Sequence, residues 1–355
     1  MANLLITGGA GFIGSHTCLA LLQASHQLVV LDNFANSRLE SLRRVAELAA
    51  LEPLQPTGLD CWATADQRLS VHRGDVRVRQ ELEPLFAAGP IDGVLHFAGL
   101  KAVAESIAQP LPYWDVNVRG SVCLLEAMAA WGCRTLVFSS SATLYGHPEH
   151  VPIPEEAPIQ PINPYGQTKA AVEQLLADMA ASHPDWRLAR LRYFNPVGAH
   201  PSGHIGEDPQ GIPSNIFPLI SQVAVGRRPR LEVFGSDWPT ADGTGVRDFI
   251  HVMDLAEGHA ATLALLLAEA PQLLTLNLGS GQGHSVLDLV NAFAAASGRP
   301  IPIRLSARRP GDSAVSIADP GAAERRMGWR TRRSLVEICR DGWAWQQANP
   351  QGYGT

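Results

Sequence analysis

The 355-residue chain is 46% hydrophobic and 17% charged, enough apolar content for a large core and more than one lobe. Its formal net charge of −6 is built from interspersed signs, and the pairs Arg227-Arg228, Arg308-Arg309 and Arg332-Arg333 are too sparse for a nucleic-acid footprint. Five cysteines without a Cys-x-x-Cys pair, and no apolar run approaching roughly eighteen residues, point to a reduced, cytoplasmic protein with neither a signal peptide nor a membrane span.

The chain opens on a strand, Leu4-Leu5-Ile6, followed by Gly8-Gly9-Ala10-Gly11-Phe12-Ile13-Gly14 and a helix over 13–24. Gly8, Gly11 and Gly14 form a G-x-x-G-x-x-G turn between strand and helix, where missing side chains admit a pyrophosphate beside the helix N–H groups. Asp32 ends the next strand, Leu28-Val29-Val30-Leu31, and its carboxylate suits both adenosine ribose hydroxyls while repelling a 2′-phosphate. The cofactor expected is therefore NAD rather than NADP. Residues 52–68 have no period and read as a surface loop or irregular insertion, tacked down by Trp62.

Ser70-Val71-His72 is the third strand of the series, and Asp75 just beyond it is placed to accept from an adenine edge. Gly93-Val94-Leu95-His96-Phe97 is the next, and the small Ala98 and Gly99 after Phe97 let a cofactor lie close to the backbone. A helix over 115–131 leads to the strand Thr135-Leu136-Val137-Phe138, which runs into Ser139-Ser140-Ser141. Asn163-Pro164 then starts a helix over 165–181, with Leu188-Ala189-Arg190-Leu191-Arg192-Tyr193 as a further strand. The alternation predicts an α/β fold: a Rossmann-type parallel sheet with helices on both faces. From Asn195 onward Pro and Gly multiply and the elements shorten, which suits a smaller mixed α/β lobe closing a ligand cleft. The expected division is 1–194 for the dinucleotide and 195–355 for the substrate, with some later segments returning to the first domain.

Tyr165 and Lys169 lie four apart in the first turns of their helix, so phenol and ammonium share a face. The cation is expected to lower the pKa of a phenol that ordinarily titrates near 10, making it a usable base. One or more of the hydroxyls of Ser139, Ser140 and Ser141 would meet a substrate oxygen at the same point. His96, His200, His204, His251 and His259 form no compact metal-ligand pattern, and no metal is expected.

These segments, with Arg192-Tyr193-Phe194-Asn195-Pro196-Val197-Gly198-Ala199-His200 and Gly243-Thr244-Gly245-Val246-Arg247-Asp248, resemble the extended short-chain dehydrogenase/reductase family, and within it the UDP-glucose 4-epimerases. The resemblance runs from Asn3 to Tyr353. It implies reversible epimerisation at C4 of UDP-glucose and UDP-galactose through a 4-keto sugar, with tightly bound NAD⁺ taking a hydride and returning it to the other face. In that scheme Tyr165 is the base, Lys169 lowers its pKa and holds the nicotinamide ribose, and Ser141 bonds the 4-oxygen. It places Gly8, Gly11, Phe12, Ile13, Gly14, Asp32, Asn33, Asn36, Ser37, Asp75, Val76, Phe97, Ala98, Gly99, Lys101, Asn117, Tyr165, Lys169 and Phe194 on the cofactor. The nucleotide sugar falls to Lys101, Ser141, Tyr165, Asn195, Asn215, Ile216, Phe234, Arg247, Arg309, Asp312 and Ser316, with Arg247 and Arg309 suited to the diphosphate.

Where narrow bacterial members of that family carry a bulky Tyr four residues after the Asp of Arg309-Pro310-Gly311-Asp312, this chain has Ser316. UDP-N-acetylglucosamine and UDP-N-acetylgalactosamine are then expected to fit as well. A nucleotide-sugar 4,6-dehydratase is disfavoured because Ser140-Ser141-Ala142-Thr143 lacks the acidic residue that such enzymes carry beside the Thr. A protein that only sensed NAD would have no use for the Tyr165/Lys169 pair. By the same resemblance, the helices over 115–131 and 165–181 are expected to pair across a homodimer.

Overall fold

The computed structural model describes residues 1–354 other than Ile212 and Pro310. The strands of the first half are β1 (Asn3–Thr7), β2 (Gln27–Asp32), β3 (Gln55–Gly58), β4 (Cys61–Ala63), β5 (Leu69–Arg73), β6 (Gly93–His96), β7 (Thr135–Ser141) and β8 (Arg187–Tyr193). With the later strand Gln272–Leu278 they form one nine-stranded sheet, ordered Gln272–Leu278, β8, β7, β6, β1, β2, β5, β4, β3. From Gln272–Leu278 to β5 every neighbouring pair is parallel. Leu4 of β1 is opposite Leu28 on one side and Gly93 on the other, so the chain reverses its direction of winding between β1 and β6. That reversal opens a crevice at the carboxyl ends of the strands, the usual ligand position of such sheets.

Alternate residues of β1 serve opposite faces, as strand geometry requires. Leu4 and Ile6 pack with Leu19, Leu22 and Leu263, whereas Leu5 packs with Phe86, Leu124 and Phe138. Helices therefore cover both faces, and β1 is buried almost throughout. A buried charge cluster ties the sheet to helix Pro164–Ser182. Glu173 accepts from Arg192 Nε at 3.0 Å and Nη2 at 2.7 Å, and from Ser140 Oγ at 2.5 Å. Both partners of the Arg192–Glu173 pair are fully engaged, so loss of either would strand a buried charge.

Two sequence expectations change. The stretch 52–68 is a β-hairpin: β3 and β4 are antiparallel and β4 adds antiparallel to β5, extending the sheet edge. Pro56 and Gly58 hid the strand, and both are tolerated because β3 is an exposed edge. Trp62 does secure it, its ring lying 6.3 Å from that of Phe34 in a T-shaped contact. The helix expected over 115–131 is also irregular, with wider π-type turns over Trp114–Arg119 before regular helix over Gly120–Ala130.

The later residues build a second core in which Phe217, Leu231, Phe249, Phe293 and Ile338 pack together. Its short strands meet the cleft: Val246–Arg247 lies between His284–Ser285 and Val315–Ser316, with Arg247 in register with Ser316. Among the described residues no helix is long and apolar enough to cross a membrane.

Candidate active site

At the β1/β6 reversal a single cleft of about 1070 Å³ runs from the glycine turn to the second core. Its dinucleotide end is shaped by missing side chains. A Cβ on Gly8, whose φ is 71°, would stand 2.6 Å from Ala98 N, and one on Gly14 would stand 2.3 Å from Gly8 O. Only glycine lets loop, helix and strand end meet this closely, leaving room for a phosphate backbone. Asp32 closes the turn, accepting from Ala10 N at 2.9 Å, Phe34 N at 2.9 Å and Ser37 Oγ at 2.8 Å. The side-chain-free cradle fits the phosphates of a nicotinamide dinucleotide, and Asp32 lines the cleft at its edge.

Gly11, Phe12, Ile13, Asn33, Asn36, Val76, Phe97, Gly99, Lys101 and Phe194 line the same cleft. Asp75 does too, but both its oxygens are engaged. Arg77 grips it through Nε at 2.9 Å and Nη2 at 2.6 Å, and Asn33 Nδ2 donates at 3.1 Å. Those bonds, from Arg77 first, push its carboxyl down to about 2, so an adenine amine must share an already committed acceptor. Asn117 is buried beneath Leu100, which lines the cleft. Its Oδ1 accepts from Leu100 N at 2.7 Å, while Nδ2 donates to Leu100 O and Thr168 Oγ1 at 3.0 Å each. It braces the 99–100 loop from below.

In the middle of the cleft, Asn163 caps helix Pro164–Ser182 by accepting from Gly166 N at 2.8 Å, with Pro164 in the first turn. This start fixes Tyr165, whose N–H donates to Ser106 Oγ at 3.2 Å. Ser141, at the end of β7, accepts at Oγ from Thr143 Oγ1 at 2.9 Å and from Thr143 N at 3.2 Å. Lys169 Nζ donates to Ser139 O at 2.7 Å and lies 4.8 Å from the Phe138 ring centroid.

The electrostatics differ from the simple pairing rule. Burial raises the Tyr165 phenol and a hydrogen bond with Ser141 opposes it, so the ammonium is not the dominant influence. Lys169 points to Ser139 O, and its Nζ is 5.9 Å from the Tyr165 ring centroid. Burial pushes Lys169 itself down to about 8, against the attraction of Glu173.

At the far end Asn195, Asn215, Ile216, Phe234, Arg247, Arg309, Asp312 and Ser316 all line the cleft. Burial lowers the Arg247 guanidinium pKa, and its Nη1 donates to Val246 O at 2.9 Å. Arg309 pairs with Asp312 at 3.2 Å and lies 4.8 Å over the Phe234 ring. Pro310 of this run lies outside the described residues.

Sequence reasoning passed over Thr143 and Glu207. Thr143 lies two residues after the serine run and was the more visible of the two. Glu207 pairs with Lys101 at 2.9 Å and accepts from Asn215 Nδ2 at 3.0 Å. Lys101 is 106 residues away in sequence, and only the fold brings it to Glu207. His96 sits between Thr7 Oγ1 at 2.6 Å and Ser121 Oγ at 3.0 Å, and burial pushes it down to about 3. Among the described residues no group of three or more His, Cys, Asp or Glu side chains is placed to hold a metal ion.

A parallel sheet with a glycine cradle at its reversal, and a buried Tyr, Lys and Ser beyond it, defines a nicotinamide-dependent enzyme of the short-chain dehydrogenase/reductase class. Residues 4–279 match the model of the NAD dependent epimerase/dehydratase family, and the chain belongs to it. It is 51% identical over 353 residues to UDP-glucose 4-epimerase 2 of Arabidopsis thaliana, covering 99% of this chain and 97% of that protein. The UDP-glucose 4-epimerase of Bacillus subtilis (strain 168) is 50% identical over 350 residues, covering 99% and 98%. The crystal structure of UDP-glucose 4-epimerase from Bifidobacterium longum in complex with NAD+ and UDP superposes with a TM-score of 0.92 at 42% identity, covering 99% of each chain.

Proposed function

We propose that this chain interconverts UDP-glucose and UDP-galactose by NAD-dependent inversion at C4 through a 4-keto sugar, with Tyr165, Ser141 and Lys169 as its catalytic residues. The observation that carries the assignment is the continuity of the cleft: one cavity joins the glycine cradle, Tyr165 and Ser141, and the arginines of the second lobe. Bound NAD supplies a hydride acceptor that becomes the donor for the return step.

Tyr165 acts as the phenolate: the positive charge of bound NAD⁺, added to that of Lys169, would oppose the burial that raises the phenol, so that Tyr165 removes the proton from the 4-hydroxyl as C4 is oxidised and returns it when the ketone is reduced. Ser141, on the same stretch of cleft wall, bonds the same oxygen and fixes its position. Lys169 supplies positive charge beside the phenol and a donor for a ribose hydroxyl. Arg247 and Arg309 take the diphosphate, so the nucleotide end is held while the hexose turns. Replacing Tyr165 with Phe should lower kcat by roughly 10²- to 10⁴-fold with little change in UDP binding. A kcat within threefold of the parent would remove Tyr165 from the mechanism.

Two finer readings go with this one. Ser316, small and on the cleft wall beside Arg247, leaves room for an acetamido group, which supports turnover of UDP-N-acetylhexosamines. Leu111, Trp114 and Val122 are exposed along the segment before and within Gly120–Ala130, and an apolar face of this kind supports pairing of two copies as a homodimer.

A further inference from the structure

The run 206–210 crosses the cleft from the substrate side to the adenosine side, and three separate elements fasten it. At its far end Gln210 N donates to Asn36 Oδ1 at 2.8 Å, and Gln210 Nε2 donates to Ser37 O at 2.9 Å and Phe34 O at 3.2 Å. The turn it grips is the one that encloses Asp32, and Phe34 takes a left-handed φ of 57° within it. In the middle, Glu207 holds Lys101 and Asn215 on one oxygen, leaving its other oxygen buried and without a partner.

The C-terminal tail fastens the near end. Tyr353 OH accepts from Gly206 N at 3.1 Å and is 3.2 Å from Gly206 O, while Tyr353 N donates to Asp208 Oδ2 at 2.9 Å. The Tyr353 ring packs 4.6 Å from that of Trp345, and a Cβ on Gly206 would come within 2.4 Å of the Trp345 indole. Arg44 lies 5.1 Å over the Tyr353 ring and donates to His204 O at 3.0 Å. The strap is thus seated against the tail and clamped onto the ribose turn, with Asn36, Ser37, Asp208 and Tyr353 all on the cleft wall.

We propose that this strap keeps the dinucleotide resident between turnovers, with Gln210 and Tyr353 as positioning residues that hold it shut. The proposal rests on the NAD-dependent reading above. Neither side chain is assigned to the cofactor or the substrate; each acts by holding the backbone that covers the ribose turn. A ligand enclosed in this way leaves only when its cover opens, so weakening the fastenings raises the dissociation rate more than it alters chemistry.

The test uses the holoenzyme with the nucleotide it carries from purification. Parent, Gln210→Ala, Tyr353→Phe and the double variant are diluted, passed over a desalting column at timed intervals, and assayed for protein-bound NAD by absorbance after denaturation. Tyr353→Phe keeps the ring against Trp345 and removes only the hydroxyl, which guards against a folding defect. Each single variant should lose NAD about tenfold faster, equivalent to about 1.4 kcal/mol. Each should also acquire a requirement for added NAD, with turnover at saturating NAD within about twofold of the parent. NAD loss at the parent rate in both single variants overturns the proposal, as does a loss of turnover that saturating NAD does not restore. A parent that retains NAD but epimerises no UDP-hexose counts against the functional reading and leaves the release experiment interpretable.

Discussion

Lys169 should cost the folded protein stability, and the cost should be visible as a pH-dependent difference from Lys169→Met. The side chain is 5% exposed, and burial takes its pKa from 10.5 to about 8. At about 1.36 kcal/mol per unit, that depression amounts to roughly 3 kcal/mol of destabilisation while the ammonium is charged in both states. Between about 8 and 10.5 the folded protein has released a proton that the unfolded chain still binds, so stability rises with pH through that window. The penalty is complete below the folded value and gone above the unfolded one. Met fills the space without a charge but leaves Ser139 O without its 2.7 Å donor, a loss of about 1–2 kcal/mol. The nucleotide-free variant should therefore be about 1–2 kcal/mol more stable than the parent near pH 7, and about 1–2 kcal/mol less stable by pH 10.5, a total swing of about 3 kcal/mol. Urea unfolding of both proteins at a series of pH values measures the gap. A gap that stays constant from pH 7 to 10.5, or that moves in the opposite sense, would show that the buried Lys169 ammonium carries no such penalty. The variant should meanwhile be nearly inactive, the usual trade between a strained functional group and stability.

Ser316→Tyr should reduce turnover of UDP-N-acetylgalactosamine at least about tenfold while leaving UDP-galactose within about threefold, because the ring takes the space an acetamido group needs. Equal losses on both sugars in parallel product assays would remove Ser316 as a size determinant. Trp62→Ala should lower unfolding stability by about 1–2 kcal/mol, less than a fully buried Trp, since the indole is only half-buried between the hairpin and Phe34. An unchanged urea midpoint would show that the hairpin is held by its strand pairing alone.

The sequence exposed those parts of the site whose geometry is local. The glycine turn, Asp32 after its strand, and Asn163-Pro164 ahead of Tyr165 each write their conformation within a few neighbouring residues, and the structure brings them to one cleft. The hairpin of β3 and β4 was hidden because an exposed edge strand needs no apolar alternation and tolerates Pro56. The partners of Asn117 were not legible either: it lies in an irregular helical segment, and spacing alone does not announce its bonds to Leu100 and Thr168. The Tyr165 phenol shows the same limit in energetic form, since burial and not the charge four residues away sets the direction of its shift. The contacts of Gln210 with the ribose turn join residues more than 170 positions apart, and no local pattern announces them.

Inversion at C4 proceeds by a temporary oxidation that the same bound cofactor reverses. Purified protein incubated with UDP-galactose deuterated at C4, in ordinary water and without added NAD, tests it directly by mass spectrometry and NMR of the separated products. The expected product is UDP-glucose that retains deuterium at C4. Formation of UDP-glucose with the label washed out to solvent, or of no UDP-glucose at all, would contradict it.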